Sequence, residues 1–390
     1  MLLAVCAVPF ALSQRQTGAP SPRGNPTRID WFPGPDLPSP GVRLVGVYFP
    51  ANGKFYVMGG RSMDGVGHDL VHPFEYDPVS NTWATKSASY PDNQVSDMAC
   101  GLLNDSGTDY IYCVGGSAGG QTTATDRVFR YDPVTDTITT IPSPWPGDTD
   151  GITLPGGFSV FNNNLYILGG FRINTAMTDQ IWRFTPGTNV WVIQGTTLPV
   201  PRGYIPTTTI LNSIYTGGGS LWNGTMLQDT TDSFSYDPVS DTIVQIVSIP
   251  RATAETQALT ITGFMWVFGG GETPPNPSNE VDFYDPIKMV WLTAQPFMTA
   301  RRNFATGTDG ASCVWLVGGY ASDGTPLSSM ETSCPAGPTP TPTATQTATP
   351  TPTPSPTPSA TFTPTATPTL TPAPRSTPTP RPRPTPRPRP

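Results

Sequence analysis

Six doubled glycines set the frame of this 390-residue chain. They fall at Gly59-Gly60, Gly115-Gly116, Gly169-Gly170, Gly217-Gly218, Gly269-Gly270 and Gly318-Gly319, with steps of 56, 54, 48, 52 and 49 residues between first glycines. A period near fifty residues means one supersecondary unit copied along the chain, each copy covering its neighbour's apolar face. The stretch Phe55 to Trp83, FYVMGGRSMDGVGHDLVHPFEYDPVSNTW, shows the unit whole. FYVM lacks apolar/polar alternation, as expected of a strand buried on both faces. The glycine pair lets the backbone turn, or lets a neighbour approach where a Cβ would clash. Tyr76-Asp77-Pro78 reads as a tight turn, with Pro fixing φ and the Asp side chain bonding the backbone two residues on. Trp83 then offers a large apolar face to something outside the unit.

The turn recurs as Tyr131-Asp132-Pro133, Tyr236-Asp237-Pro238 and Tyr284-Asp285-Pro286, with Phe184-Thr185-Pro186 as a degenerate copy. The tryptophan slot reads Trp83, Ile138, Trp191, Ile243 and Trp291. This layout resembles the kelch repeat, which implies an all-β, six-bladed propeller of four-stranded blades over residues 28–334. Blades are expected over 44–87, 97–141, 156–194, 206–246, 256–293 and 304–334. The sixth lacks its own outer strand, so an N-terminal strand at 28–32, around Trp31, is expected to complete it and remove an open sheet edge.

Composition divides the rest. Residues 335–390 are almost all Pro, Thr, Ala and Ser and read as a disordered, extended spacer, its basic end suited to an anionic surface. They hold five arginines and no acids, so the remainder has 16 basic against 28 acidic residues, a formal charge of −12. An acidic body argues against nucleic acid as a partner. Residues 1–13, MLLAVCAVPFALS, resemble the apolar part of a secretory signal, although no basic region precedes them and the true start stays open. Residues 14–27 read as a disordered lead. No later stretch is apolar for long enough to span a bilayer.

Cys100 and Cys113 flank the turn NDSGTD, and Cys313 and Cys334 fall on the second and third strands of the last unit. Both pairs suit bridges between neighbouring strands in an oxidising compartment; the other arrangement is four buried thiols. No pair has the C-x-x-C spacing of a metal site. No cofactor is implied, a monomer is expected, and the expected location is the cell surface or outside the cell.

The kelch resemblance implies arginines near the channel mouth, at the step from an outer strand into the next inner one. The matching residues are Arg43, Arg202, Arg251, and Arg301 or Arg302; blades two and three depart, with Gln94 and Gly156 near that step. Converging, these arginines would suit a carboxylate or sulfate. The other reading has each pairing with an acid or capping backbone carbonyls. Trp222, Phe171 and Tyr320, in the loops after the glycines, could stack on a sugar ring or a partner side chain. The expected function is a non-catalytic module binding a protein or glycan on the loop face. The alternative is a carbohydrate-active enzyme, mutarotase- or sialidase-like, holding an acidic sugar with these arginines. It would need a titrating group beside them, for which Glu255 and Glu75 are available. The copper chemistry of galactose oxidase needs two histidines, a tyrosine and a tyrosine joined to cysteine; His68 and His72 share one loop, so no metal site is expected.

Overall fold

The computed structural model describes residues 29–120, 122–271 and 277–334. The leader-like segment, the lead, the tail and most of the loop GETPPNPSN lie outside them. Six four-stranded antiparallel sheets, each a meander from the axis outward, form a ring. Blade one runs Val45–Phe49, Lys54–Met58, Phe74–Asp77 and Thr82–Thr85. The other inner strands are Ala99–Asp105, Thr153–Phe161, Thr207–Ile210, Ala258–Ile261 and Ala305–Thr308. Each inner strand abuts those of the two flanking blades, including the first against the last.

The apolar clusters lie between blades. One joins Tyr56 and Met58 of blade one to Cys113, Phe129 and Tyr131 of blade two, and five similar layers fill the remaining junctions. This explains why the second strands are apolar without alternation: both faces are buried.

The second glycine of the pair ties one blade to the next. The N–H groups of Gly60, Gly170, Gly219, Gly270 and Gly319 donate to the carbonyls of Val95, Arg202, Thr253, Arg301 and Gly41, at 2.7–3.0 Å. In blade four, therefore, the working pair is Gly218-Gly219, one residue later than the doublet Gly217-Gly218 expected from the sequence. Gly217 still belongs to the ladder, opposite Ser233, in the place that Met58 takes in blade one. The frame is set by geometry: Gly218 has φ +81°, and a Cβ there would lie 2.3 Å from the Thr253 carbonyl oxygen.

The turns behave as their sequence implies. The side chains of Asp77, Asp132, Asp237 and Asp285 accept from the N–H two residues on, at 2.8–2.9 Å. The bulky slot does more than pack. In odd blades the tryptophan donates its indole N–H to a carbonyl of the preceding blade: Trp83 to Pro35, Trp191 to Ser143, Trp291 to Val247. In blades two and four the slot is isoleucine, and the aspartate two residues earlier is the link. Asp136 accepts from Ser87 and Ala88, and Asp241 from Gly195 and Thr196, again in the preceding blade. Donor and acceptor latches thus alternate from blade one to blade five.

Blade six is closed by the N-terminal segment. The pairing strand is Phe32–Pro33, opposite Thr332 and Glu331. It falls just beyond Trp31, because Trp31 fills the tryptophan slot itself. Its ring lies 5.9 Å from both Phe268 and Phe297, and its indole N–H reaches the Gln295 carbonyl of blade five. Cys100 is bonded to Cys113, directly opposite it across blade two, and Cys313 to Cys334 in blade six.

Candidate functional site

The expected arginines divide into two groups. Arg202 and Arg301 are fully buried, and their guanidinium groups hold the ring together. Arg202 donates to the Gly218 and Asp232 carbonyls and to the Asp232 carboxylate. Arg301 does the same for Gly318, Ser329 and Glu331, and Arg251 donates to the Gly269 carbonyl at 2.7 Å. Each therefore caps the carbonyl of a first glycine. Burial pulls all three below the ordinary arginine pKa, partly offset by their acidic neighbours.

Arg43 and Arg302 lie at the channel mouth. Arg43 pairs with Asp97 at 3.0 Å and Arg302 with Glu255 at 2.6 Å. Both guanidinium groups sit over the ring of Tyr320, whose hydroxyl donates to Asp64. Tyr320 is buried, and its pKa is pushed up to about 12, by burial first and then by Asp64. Phe171 is buried against Tyr204 and Trp222. Trp222 is half-buried on a hairpin of blade four, Ser220–Trp222 paired with Leu227–Asp229. Blade three extends its own hairpin alongside, through Arg172 and Ala176. The two hairpins and their shared aromatic cluster border one side of the mouth.

Sequence reasoning named Arg43 and Glu255 but missed Asp97, Tyr204 and Asn303, which build the mouth with them. Arg43, Asp97, Tyr204, Glu255 and Asn303 stand at corresponding places just ahead of five inner strands, and all five are left-handed, with φ of 50–60°. Their backbones form a belt: Asp97 N–H donates to Arg43 O, Arg43 to Asn303, Asn303 to Glu255 and Glu255 to Tyr204. Blade three interrupts it. Its inner strand has begun by Thr153 and contains Pro155, whose ring fixes φ negative. All five left-handed residues line one cavity of ≈ 70 Å³, together with Phe158, Gln257 and Phe304. Two residues in from the belt, the Gln257 side-chain carbonyl accepts from Gly46 N–H of blade one and Thr306 N–H of blade six. A polar or large residue at a fixed distance before each inner strand was the available signal. Its backbone sign was hidden, because arginine, tyrosine and glutamate are not residues that announce a left-handed turn.

Glu75 lies elsewhere, held by Lys54, Tyr56 and Lys86 in blade one. His72 meets the Ala88 carbonyl, and among the described residues no three His, Cys, Asp or Glu side chains are grouped to hold a metal ion.

The kelch motif family model matches residues 106–144, the second to fourth strands of blade two. The chain carries a kelch motif within a six-bladed β-propeller. It is similar to Kelch-like protein terF of Aspergillus terreus, 27% identical over 233 residues, covering 56% of this chain and 48% of that one. Human Kelch-like protein 23 is 29% identical over 157 residues, 40% of this chain and 27% of its own. The chain thus spans at most about half the length of these curated relatives. The solved structure of YjhT matches with a TM-score of 0.61 at 13% identity, over 76% of this chain and 95% of that one. That likeness is one of fold.

Proposed function

We propose that this kelch propeller is an exported, non-catalytic module that takes a protein partner on the face where the post-glycine loops surround the mouth, at the cell surface. The observation that carries the reading is the belt of five left-handed, non-glycine residues whose side chains line one cavity. Each costs on the order of 1–2 kcal/mol against an ordinary conformation. Blade three is built without such a residue, so the fold does not require one in every blade. Conformations of this cost gather where side chains must be aimed. Kelch propellers typically serve protein interaction, which agrees with this use of the mouth. Two disulfides support an oxidising compartment. Against catalysis stands the pairing of Asp97 and Glu255, the mouth carboxylates, with Arg43 and Arg302.

The test compares capture of partners by wild-type protein with capture by Arg302→Ala, Trp222→Ala, and a control. The control changes the exposed turn residues Val79 and Val239, at the other ends of the strands, to serine. A specific partner lost only by the first two variants supports the reading. A partner lost only by the control refutes it. A glycan array run on the same variants separates a protein ligand from a sugar.

A further inference from the structure

The mouth cavity has a charge and shape that narrow its occupant; this step rests on the reading that the mouth is the binding face. At about 10–15 Å³ per water, ≈ 70 Å³ holds about five to seven waters. That suits one small chemical group. The charged residues lining it are Arg43 against Asp97 and Glu255, one cation and two carboxylates, a net of −1, with Arg302 paired to Glu255 from beside it. Asp97 belongs to blade two and Glu255 to blade five, opposite places in a ring of six. They still feel each other. Burial, and then the Glu255 charge, hold Asp97 above the usual carboxylate range despite Arg43 and Arg61. A further cation between them would relieve this.

A second need is different in kind. Asn303 lines the same cavity, is 6% exposed, and its side-chain N–H2 has no hydrogen-bond partner among the described residues. A buried donor left unmade costs about 1–3 kcal/mol, and a ligand carbonyl would satisfy it. A lysine side chain offers the cation without a carbonyl beside it. A carboxylate ligand offers an acceptor and adds the wrong charge. A polypeptide amino terminus carries an ammonium and, two bonds on, a carbonyl.

We infer that the mouth cavity receives the amino terminus of a partner polypeptide, its ammonium between Asp97 and Glu255 and its first carbonyl accepting from Asn303. The full-length protein is titrated with a pool of random short peptide amides having free amino termini, and with the same pool N-acetylated. An N-acetyl-lysine amide serves as a free cation lacking an adjacent carbonyl. The free pool is expected to bind at least about tenfold tighter than the acetylated pool, about 1.4 kcal/mol. Glu255→Gln and Asn303→Ala should each reduce that preference, with thermal melts reporting whether each variant folds. Equal binding of the two pools, no binding of either, or equal binding of the lysine amide overturns the inference, and needs only wild-type protein. If mouth variants lose the partner while acetylation makes no difference, this inference fails and the binding face stands. If neither matters, both fail.

Discussion

Replacing Arg301 with alanine removes a fully buried guanidinium that makes five hydrogen bonds: to Thr299 O, Gly318 O, Ser329 O, the Ser329 hydroxyl and Glu331. Glu331 keeps the N–H groups of Met298 and Thr299, at 2.6 and 2.9 Å, but loses its one counter-charge among the described residues while 3% exposed. Removing one partner of a buried ion pair costs about 3–5 kcal/mol. Unfolding entropy near 2.1 cal/mol/K per residue gives about 0.6 kcal/mol/K for about 300 residues, so about 4 kcal/mol lowers Tm by about 6 °C. The next residue tells a different story. Arg302 pairs with Glu255 at the mouth, where the alanine variant keeps the inter-blade carbonyl caps intact. Calorimetric melts of the two variants should therefore show the larger fall for Arg301→Ala, and partner binding the larger fall for Arg302→Ala. A reversed order in both assays would refute the division of arginines into ring-builders and mouth residues.

The frame of blade four gives a second contrast. Gly218→Ala meets the Thr253 carbonyl and a positive φ, whereas Gly217→Ala meets the edge of Trp291 at 3.1 Å and the Met265 methyl at 3.4 Å, side chains that can shift; expression and melts should show the first severely destabilised and the second much less so. Burial alone would raise the Asp136 pKa, but hydrogen bonds from Ser87, Tyr131 and Ala88 outweigh it and lower it. Its stabilisation is therefore complete above the unfolded value near 3.9 and lost as pH falls through the lower folded value. Asp136→Asn should cost about 1 kcal/mol at neutral pH after solvent screening, and should flatten the fall of Tm with acidification below about pH 4. Trp31→Ala removes the ring that seals blade six and should cost about 3–5 kcal/mol, read as a lower urea midpoint; no shift would mean that the ring closes without it.

Much of the scaffold was written in local chemistry. Pro78 and Asp77 dictate their own turn, and Phe55 to Met58 could only be a strand buried on both faces. The N-terminal closure followed from a missing strand and an isolated Trp31. What stayed hidden depended on partners far along the chain. Gly217 and Gly218 are indistinguishable as letters, and only the Thr253 carbonyl of the next blade decides which one turns. Arg301 and Arg302 are adjacent and chemically identical, yet alternation sends one into the blade junction and the other to the mouth. The mouth itself was the least legible part. Asp97, Tyr204 and Asn303 share no residue type, only a backbone sign that tertiary bonds impose.

The pairing of the propeller's first and last strands in blade six has a consequence for how the protein is made. Phe32 finds its partner Thr332 only after the 299 intervening residues have been synthesised. During synthesis, the early blades emerge with one flank of the ring unfinished and the Trp31 segment waiting. A holding factor that shields that flank would act for the whole time of synthesis. A circular permutant beginning near Leu44, with the closing segment moved behind Cys334, would end that wait and should depend less on such help.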